Sequence, residues 1–139
     1  TPLYSSAASD VYKRQGYMSG TPLAQAFASA DVFAFPSLTE TLGLVALESF
    51  ASGVPVVGAR AGGIPFVIED GQTGMLVDKD ASPEQWADAF AGLVIDAPRR
   101  TTMSAAARAE AERWSWRAAT EKLVEYYEVC TTKKSADSH

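Results

Sequence analysis

The stretch from Asp31 to Val57 constrains this chain most, because it joins two short apolar segments through a carboxylate-bearing loop and an apolar helix pattern. Asp31-Val32-Phe33-Ala34-Phe35 reads as a short buried strand, and Pro36 stops it, since proline removes a backbone donor and restricts the residue before it. Leu44, Leu47, Phe50 and Ala51 recur at helical spacing, and Gly53 closes that helix. Val54-Pro55-Val56-Val57 follows as a second strand, whose proline requires either an edge position or a special entry turn. Strand, helix and strand in so short a span predict an α/β architecture, a sandwich of sheet and helices.

The flanks carry the same alternation. Thr21-Pro22 opens a helix through Leu23, Ala24, Ala26, Phe27 and Ala30. Gly58, Gly62 and Gly63 punctuate a turn, Gly63-Ile64-Pro65 forms a short backbone shelf, and residues 69–74 make a second turn before Met75-Leu76-Val77. Ser82-Pro83-Glu84-Gln85 combines an N-cap, a first-turn proline and an N3 glutamine, launching a helix through Trp86, Ala89, Phe90 and Leu93. Ala97-Pro98 separates it from a helical segment over residues 105–113. A last helix follows Trp114-Ser115-Trp116, with Ala119, Leu123 and Tyr126 or Tyr127 positioned to cover a sheet or a neighbouring helix. Trp86, Trp114 and Trp116 read as packing residues. This pattern leaves the strand order open.

Three segments divide the chain. Residues 1–15, with the string Ser-Ala-Ala-Ser-Asp-Val-Tyr-Lys-Arg-Gln, resemble a translated adaptor or assembly artefact, with a flexible leader as the alternative. Residues 16–130 form the interpretable domain, and residues 131–139 read as a polar, disordered tail. With 139 residues, 47% of them hydrophobic, the chain can build one substantial core. Twelve basic against seventeen acidic residues give a formal charge of -5 without a basic run, so no nucleic-acid partner is expected. Lone Cys130 excludes an intrachain disulfide, and the single His139 supports neither a multi-histidine metal site nor a Ser-His-Asp triad. No metal is expected. The dinucleotide fingerprint and the phosphate-loop motif are both missing, which argues against NAD-dependent oxidoreductase or kinase chemistry. No apolar run reaches bilayer-spanning length and no secretory leader is evident, so the reading is a soluble chain or one peripheral to a membrane.

Chemistry concentrates at Glu40 and Glu48, eight positions apart, one before the helix and one inside it. A helical rise of about 1.5 Å per residue would separate them by ~12 Å, a nucleotide-sugar length. Between them, Thr41, Leu42, Gly43 and Leu44 offer N–H groups at a helix start, which suit a diphosphate because they lack intrahelical acceptors and the helix dipole favours anions. The geometry suggests one acid for sugar hydroxyls, backbone donors for phosphate and one acid for ribose. A single loop acid is ordinarily just solvated; pairing with this loop and an apolar helix is what points to a ligand. Gly43 either permits a tight helix start or lets phosphate or sugar approach the backbone. Gly62 and Gly63 either make a turn or orient the sugar end, and Ser37 either binds nucleotide or satisfies its own turn. The acids need not be the closely opposed pair of a glycosidase.

From about Gly16 to Tyr127 the sequence resembles the C-terminal donor-binding half of retaining, two-Rossmann-domain nucleotide-sugar glycosyltransferases, a likeness that implies a partial Rossmann-like parallel sheet flanked by helices. The most specific segment runs from Asp31 to Pro65 and contains the family pattern E-x7-E as Glu40 through Glu48. The resemblance implies that Glu40, with Thr41, Leu42 and Gly43, meets the donor sugar. It implies that Glu48 meets the nucleotide ribose, that the Gly43-Leu44 backbone lies beside the diphosphate, and that Gly62-Gly63 is the neighbouring turn. It assigns no catalytic side chain and no cofactor, with a UDP-sugar as the expected donor substrate. Phe66 stands where the family commonly carries an acid after Gly-Gly-Ile-Pro. Gly20, the run from Ala28 to Phe33, the run from Thr39 to Glu48 and late Trp116-Arg117-Ala118-Ala119-Thr120 most resemble plant and algal sulfoquinovosyltransferases. That likeness implies sulfoquinovose transfer from UDP-sulfoquinovose to diacylglycerol, or to another lipid acceptor, in a full-length, peripheral plastid or chloroplast membrane enzyme. A hexosyltransferase acting on another lipid or glycan, and an inactive nucleotide-sugar-binding module, are the alternatives.

Overall fold

The computed structural model describes residues 18–136. The expected leader, residues 1–15, lies outside the described residues. Among the described residues, three strands each follow a helix and three further helices end the order: α1 (Gly20–Ala28), β1 (Phe33–Phe35), α2 (Leu44–Ala51), β2 (Val56–Arg60), α3 (Ile64–Val67), β3 (Gly74–Asp78), α4 (Pro83–Ile95), α5 (Ala97–Arg113) and α6 (Trp116–Ala136). The strands form one parallel sheet in the order β1-β2-β3, with Phe33 opposite Val56, Val56 opposite Gly74, and Arg60 opposite Asp78. The α/β reading holds.

Helices on both faces of the sheet follow from its sequence. Adjacent residues of a strand point to opposite faces, and in β2 both Val56 and Val57 are fully buried. Val56 joins Phe35, Ala46, Phe50, Ile64 and Ile68 in one core cluster, while Val57 joins Val77, Ala89, Leu93 and Met103 in a second. Half-buried Trp86 packs against both. A central parallel strand therefore needs apolar residues at consecutive positions, as Val54-Pro55-Val56-Val57 supplies. Pro55 precedes the strand and accepts the Phe33 N–H at 2.9 Å. Because β2 is central, the edge alternative for this proline falls and the entry-turn alternative stands.

The capping box at α4 forms as the sequence implied: Ser82 accepts from the Gln85 N–H and Gln85 accepts from the Ser82 N–H. The break at Ala97-Pro98 is narrower than expected. Asp96 alone separates α4 from α5, its side chain accepting from the Arg99 N–H at 3.0 Å, and Pro98 sits in the first turn of α5, where a missing donor costs nothing. Arg100 reaches back to the Leu93 and Val94 carbonyls at the end of α4.

Two expectations at the C terminus are corrected. Trp116 is 92% exposed, and Leu123, Tyr126 and Tyr127 are exposed as well, so this stripe of α6 covers neither sheet nor helix among the described residues. The expected tail at residue 131 is not a boundary of secondary structure: α6 continues to Ala136, with no glycine or proline to stop it. No helix of the described residues is long and apolar enough to cross a membrane.

Candidate functional site

Ligands of parallel α/β sheets gather beyond the carboxyl ends of the strands, where connecting loops leave in different directions. Here residues 36–43 leave the end of β1, and residues 61–63 leave the end of β2 beside it. The two connections touch through their backbones. The Gly63 N–H donates to the Glu40 carbonyl oxygen at 2.7 Å.

This contact explains the glycine pair. A Cβ on Gly62 would collide with the Glu40 carbonyl oxygen, and one on Gly63 would collide with the Thr41 carbonyl oxygen. Gly62 also adopts φ +54°, the left-handed region that disfavours other residues. The turn is thus a seat for the Glu40 loop, and the Gly63 N–H donates to protein. Sequence reasoning had not identified that role.

Gly43 ends the loop at φ +78° and caps α2, with its carbonyl accepting from the Ala46 N–H at 2.9 Å. No side chain caps this helix start, and its first turn carries no acid. The uncapped N–H groups and the dipole leave the Gly43-Leu44 backbone suited to an anion. From here Ala46, Ser49 and Phe50 turn inward, while Leu44 and Glu48, one turn apart, remain exposed on the outer face. Helical rise applies from Leu44 onward only, so the sequence-based axial separation of Glu40 and Glu48 is replaced by four loop positions plus about one helical turn.

A cavity of about 770 Å³ lies against this face, lined by Leu42 of the loop, by Leu44, Leu47 and Glu48 of α2, by Trp114 between α5 and α6, and by Trp116 and Lys122 of α6. Leu42, Leu44 and Glu48 are therefore brought together. Glu40 is half-buried against the glycine turn and lies outside that lining. Thr41 is exposed at the apex, and Ser37 is half-buried. The far end of α2 is fixed by α5: Ser104 donates to the Gly53 carbonyl and Arg108 to the Ala51 carbonyl. Ser49, fully buried, donates to the Val54 carbonyl at 2.9 Å and closes the α2–β2 turn. Among the described residues no group of three or more His, Cys, Asp or Glu side chains could hold a metal ion.

A sequence model of the family described as "Glycosyl transferases group 1" matches residues 4–96. The chain belongs to the glycosyl transferases group 1 family. The match begins inside the segment that composition set apart as a leader. This group 1 chain is 49% identical over 105 residues to D-inositol 3-phosphate glycosyltransferase of Corynebacterium diphtheriae, covering 76% of the chain and 24% of that protein. It is 47% identical over 111 residues to a sulfoquinovosyl transferase of Arabidopsis thaliana, covering 78% and 22%. The chain thus spans about a quarter of the length of such relatives. Among solved structures, sucrose-phosphate synthase from Thermosynechococcus elongatus superposes with a TM-score of 0.73 at 27% identity, over 85% of this chain and 30% of that one. Anabaena HepE, in complex with UDP and glucose, superposes with a TM-score of 0.72 at 26% identity, over 83% and 31%. The partial sheet is that of a group 1 glycosyltransferase domain.

Proposed function

We propose that this chain is the donor-binding part of a retaining nucleotide-sugar glycosyltransferase that uses a UDP-sugar and no cofactor. The observation that carries the reading is the helix start at Gly43-Leu44, uncapped and acid-free, with Glu48 one turn further on and the Glu40 loop seated directly before it. In this reading the Glu40 carboxylate accepts donor-sugar hydroxyls, with Thr41, Leu42 and Gly43 beside it. The Gly43-Leu44 backbone donates to the diphosphate, and the Glu48 carboxylate accepts from ribose. Fixed donors at the leaving diphosphate stabilise the charge that develops as the bond to the anomeric carbon breaks, and fixed acids hold that carbon in place. The chain's own contribution is positioning and charge stabilisation. Likeness to HepE, solved with UDP and glucose, supports a UDP-sugar donor.

The substrates divide two ways. Sulfoquinovosyl transfer is supported by the likeness to the Arabidopsis thaliana sulfoquinovosyl transferase; in this reading UDP-sulfoquinovose is the donor, diacylglycerol the acceptor, and the full-length enzyme is peripheral to a plastid membrane. Glycosyl transfer to D-inositol 3-phosphate is supported at 49% identity by the Corynebacterium diphtheriae relative. Expression of the longer reading frame, followed by product analysis with UDP-sulfoquinovose and diacylglycerol against UDP-glucose and D-inositol 3-phosphate, separates them. Site roles are tested by titrating UDP and UDP-glucose into folded variants. Glu48→Ala should weaken both ligands, and Glu40→Ala UDP-glucose alone, each by about tenfold or more for hydrogen bonds to a charged group. Unchanged affinities in both variants refute the assignment.

A further inference from the structure

We propose that Arg60 is a positioning residue for the sugar-facing loop, acting from the opposite side of the Gly62-Gly63 turn; the inference rests on the donor-site reading above. Arg60 is the last residue of β2 and stands opposite Asp78, the last residue of β3. Its guanidinium spans two carboxylates, with Nη2 donating to Asp70 Oδ2 at 2.6 Å and Nε facing Asp78 Oδ1 at 3.3 Å. The second oxygen of Asp70 accepts the Leu76 N–H at 2.9 Å. One side chain therefore ties the end of β2 to the end of β3 and to the turn that precedes it. Arginine is a cation throughout the working range, and the Asp70 bond favours that charged form further.

The chain has three residues between this tie and the Glu40 loop. The Ala61 N–H bonds the Ala59 carbonyl at 2.8 Å, Gly62 reverses direction at φ +54°, and the Gly63 N–H meets the Glu40 carbonyl. Gly62 and Gly63 have no side chains with which to anchor themselves. Their position is set upstream by Arg60 and downstream by fully buried Ile64. Ile64 fixes the turn against the core, whereas Arg60 fixes its departure from the sheet. Arg60 and Asp70 are about half exposed at 47% and 44%, and exposed pairs add little to global stability. Its effect belongs in the geometry of the loop and not in the melting temperature. Only a forked donor can engage both carboxylates at once, which a lysine ammonium on the same strand end does not reproduce.

The test uses the full 139-residue chain with Arg60→Met, Arg60→Lys and Asp70→Asn. Asparagine keeps an oxygen for the Leu76 N–H while removing the charge that Arg60 grips. UDP and UDP-glucose are titrated calorimetrically, and exchange of the Gly63 amide is followed by NMR. In Arg60→Met the affinity for UDP should stay within about twofold, while the advantage of UDP-glucose over UDP falls by about fivefold, the size of one weakened hydrogen bond. Gly63 amide exchange should accelerate by about tenfold while that of Phe50 in α2 is unchanged. Arg60→Lys should behave like Arg60→Met, and Asp70→Asn should move both readings in the same direction by less. Unaltered Gly63 exchange in Arg60→Met overturns the proposal, as does equal loss of UDP and UDP-glucose. Failure of the unaltered chain to bind either ligand overturns the donor-site reading instead, and Gly63 exchange then still decides whether Arg60 holds the turn.

Discussion

At Gly63 a single added methyl group would occupy the space of the Thr41 carbonyl oxygen, so this position reports on the loop more directly than any side chain does. Gly63→Ala must push the Glu40 loop off its seat or move the turn. The expected cost is about 1–3 kcal/mol by chemical denaturation, together with loss of the preference for UDP-glucose over UDP. A variant with unchanged stability and unchanged preference would show that the two backbones are not in contact. The E-x7-E spacing was legible from sequence because both acids belong to one continuous segment. The seat was not. It joins Glu40 and Thr41 to Gly62 and Gly63 through main-chain atoms, and main-chain contacts between distant positions leave a glycine as their only trace. Arg60 left less: nothing in its neighbourhood in sequence announces Asp70 and Asp78 as partners.

At the scale of elements, α2 is anchored at its far end and free at its near end. Ser104 and Arg108 of α5 bond the Gly53 and Ala51 carbonyls, leaving the Gly43-Leu44 end uncapped. Ser104→Ala should lower stability by about 1 kcal/mol, the net worth of one hydrogen bond, with affinity for UDP retained if the near end alone meets the nucleotide. Thermal melting and calorimetry check the two halves. Ser82→Ala should cost about 1 kcal/mol by removing the capping box of α4. The Ser82 hydroxyl also holds the Glu84 carboxyl below its ordinary value of 4.5. A lowered folded-state pKa gives stability that is present above the unfolded value and lost as pH falls through the folded one. Glu84→Gln should therefore lower stability in the neutral region slightly, flatten the acid limb of the profile below about pH 5, and converge with the unaltered chain at low pH. The capping box was readable because all its parts lie within four residues. The start of α5 was misplaced because Pro98 reads equally as a separator and as a first-turn residue, and Asp96 decides between them only once its bond to the Arg99 N–H is seen.

For the whole molecule, alternation of apolar strands and helices was enough to recover an α/β sandwich and the family resemblance a parallel sheet, whereas strand order and the fate of α6 required coordinates. Periodicity identifies an apolar face without saying what covers it. Trp116, Leu123 and Tyr127 carry that face at 92%, 52% and 65% exposure. A chain ending after Ser115 should keep its cooperative unfolding, with the midpoint lowered by less than about 3 °C, and should bind less hydrophobic dye. Loss of cooperative melting would show that α6 belongs to the core. The glycine seat has a consequence of another kind. Because the foundation under residues 40 and 41 is built from peptide groups, the exposed residues Thr41 and Leu42 can be exchanged without rebuilding anything beneath them. On the donor-site reading, the face that would meet the sugar can be repainted while the masonry stays put, which would put new donor preferences within reach of very few mutations.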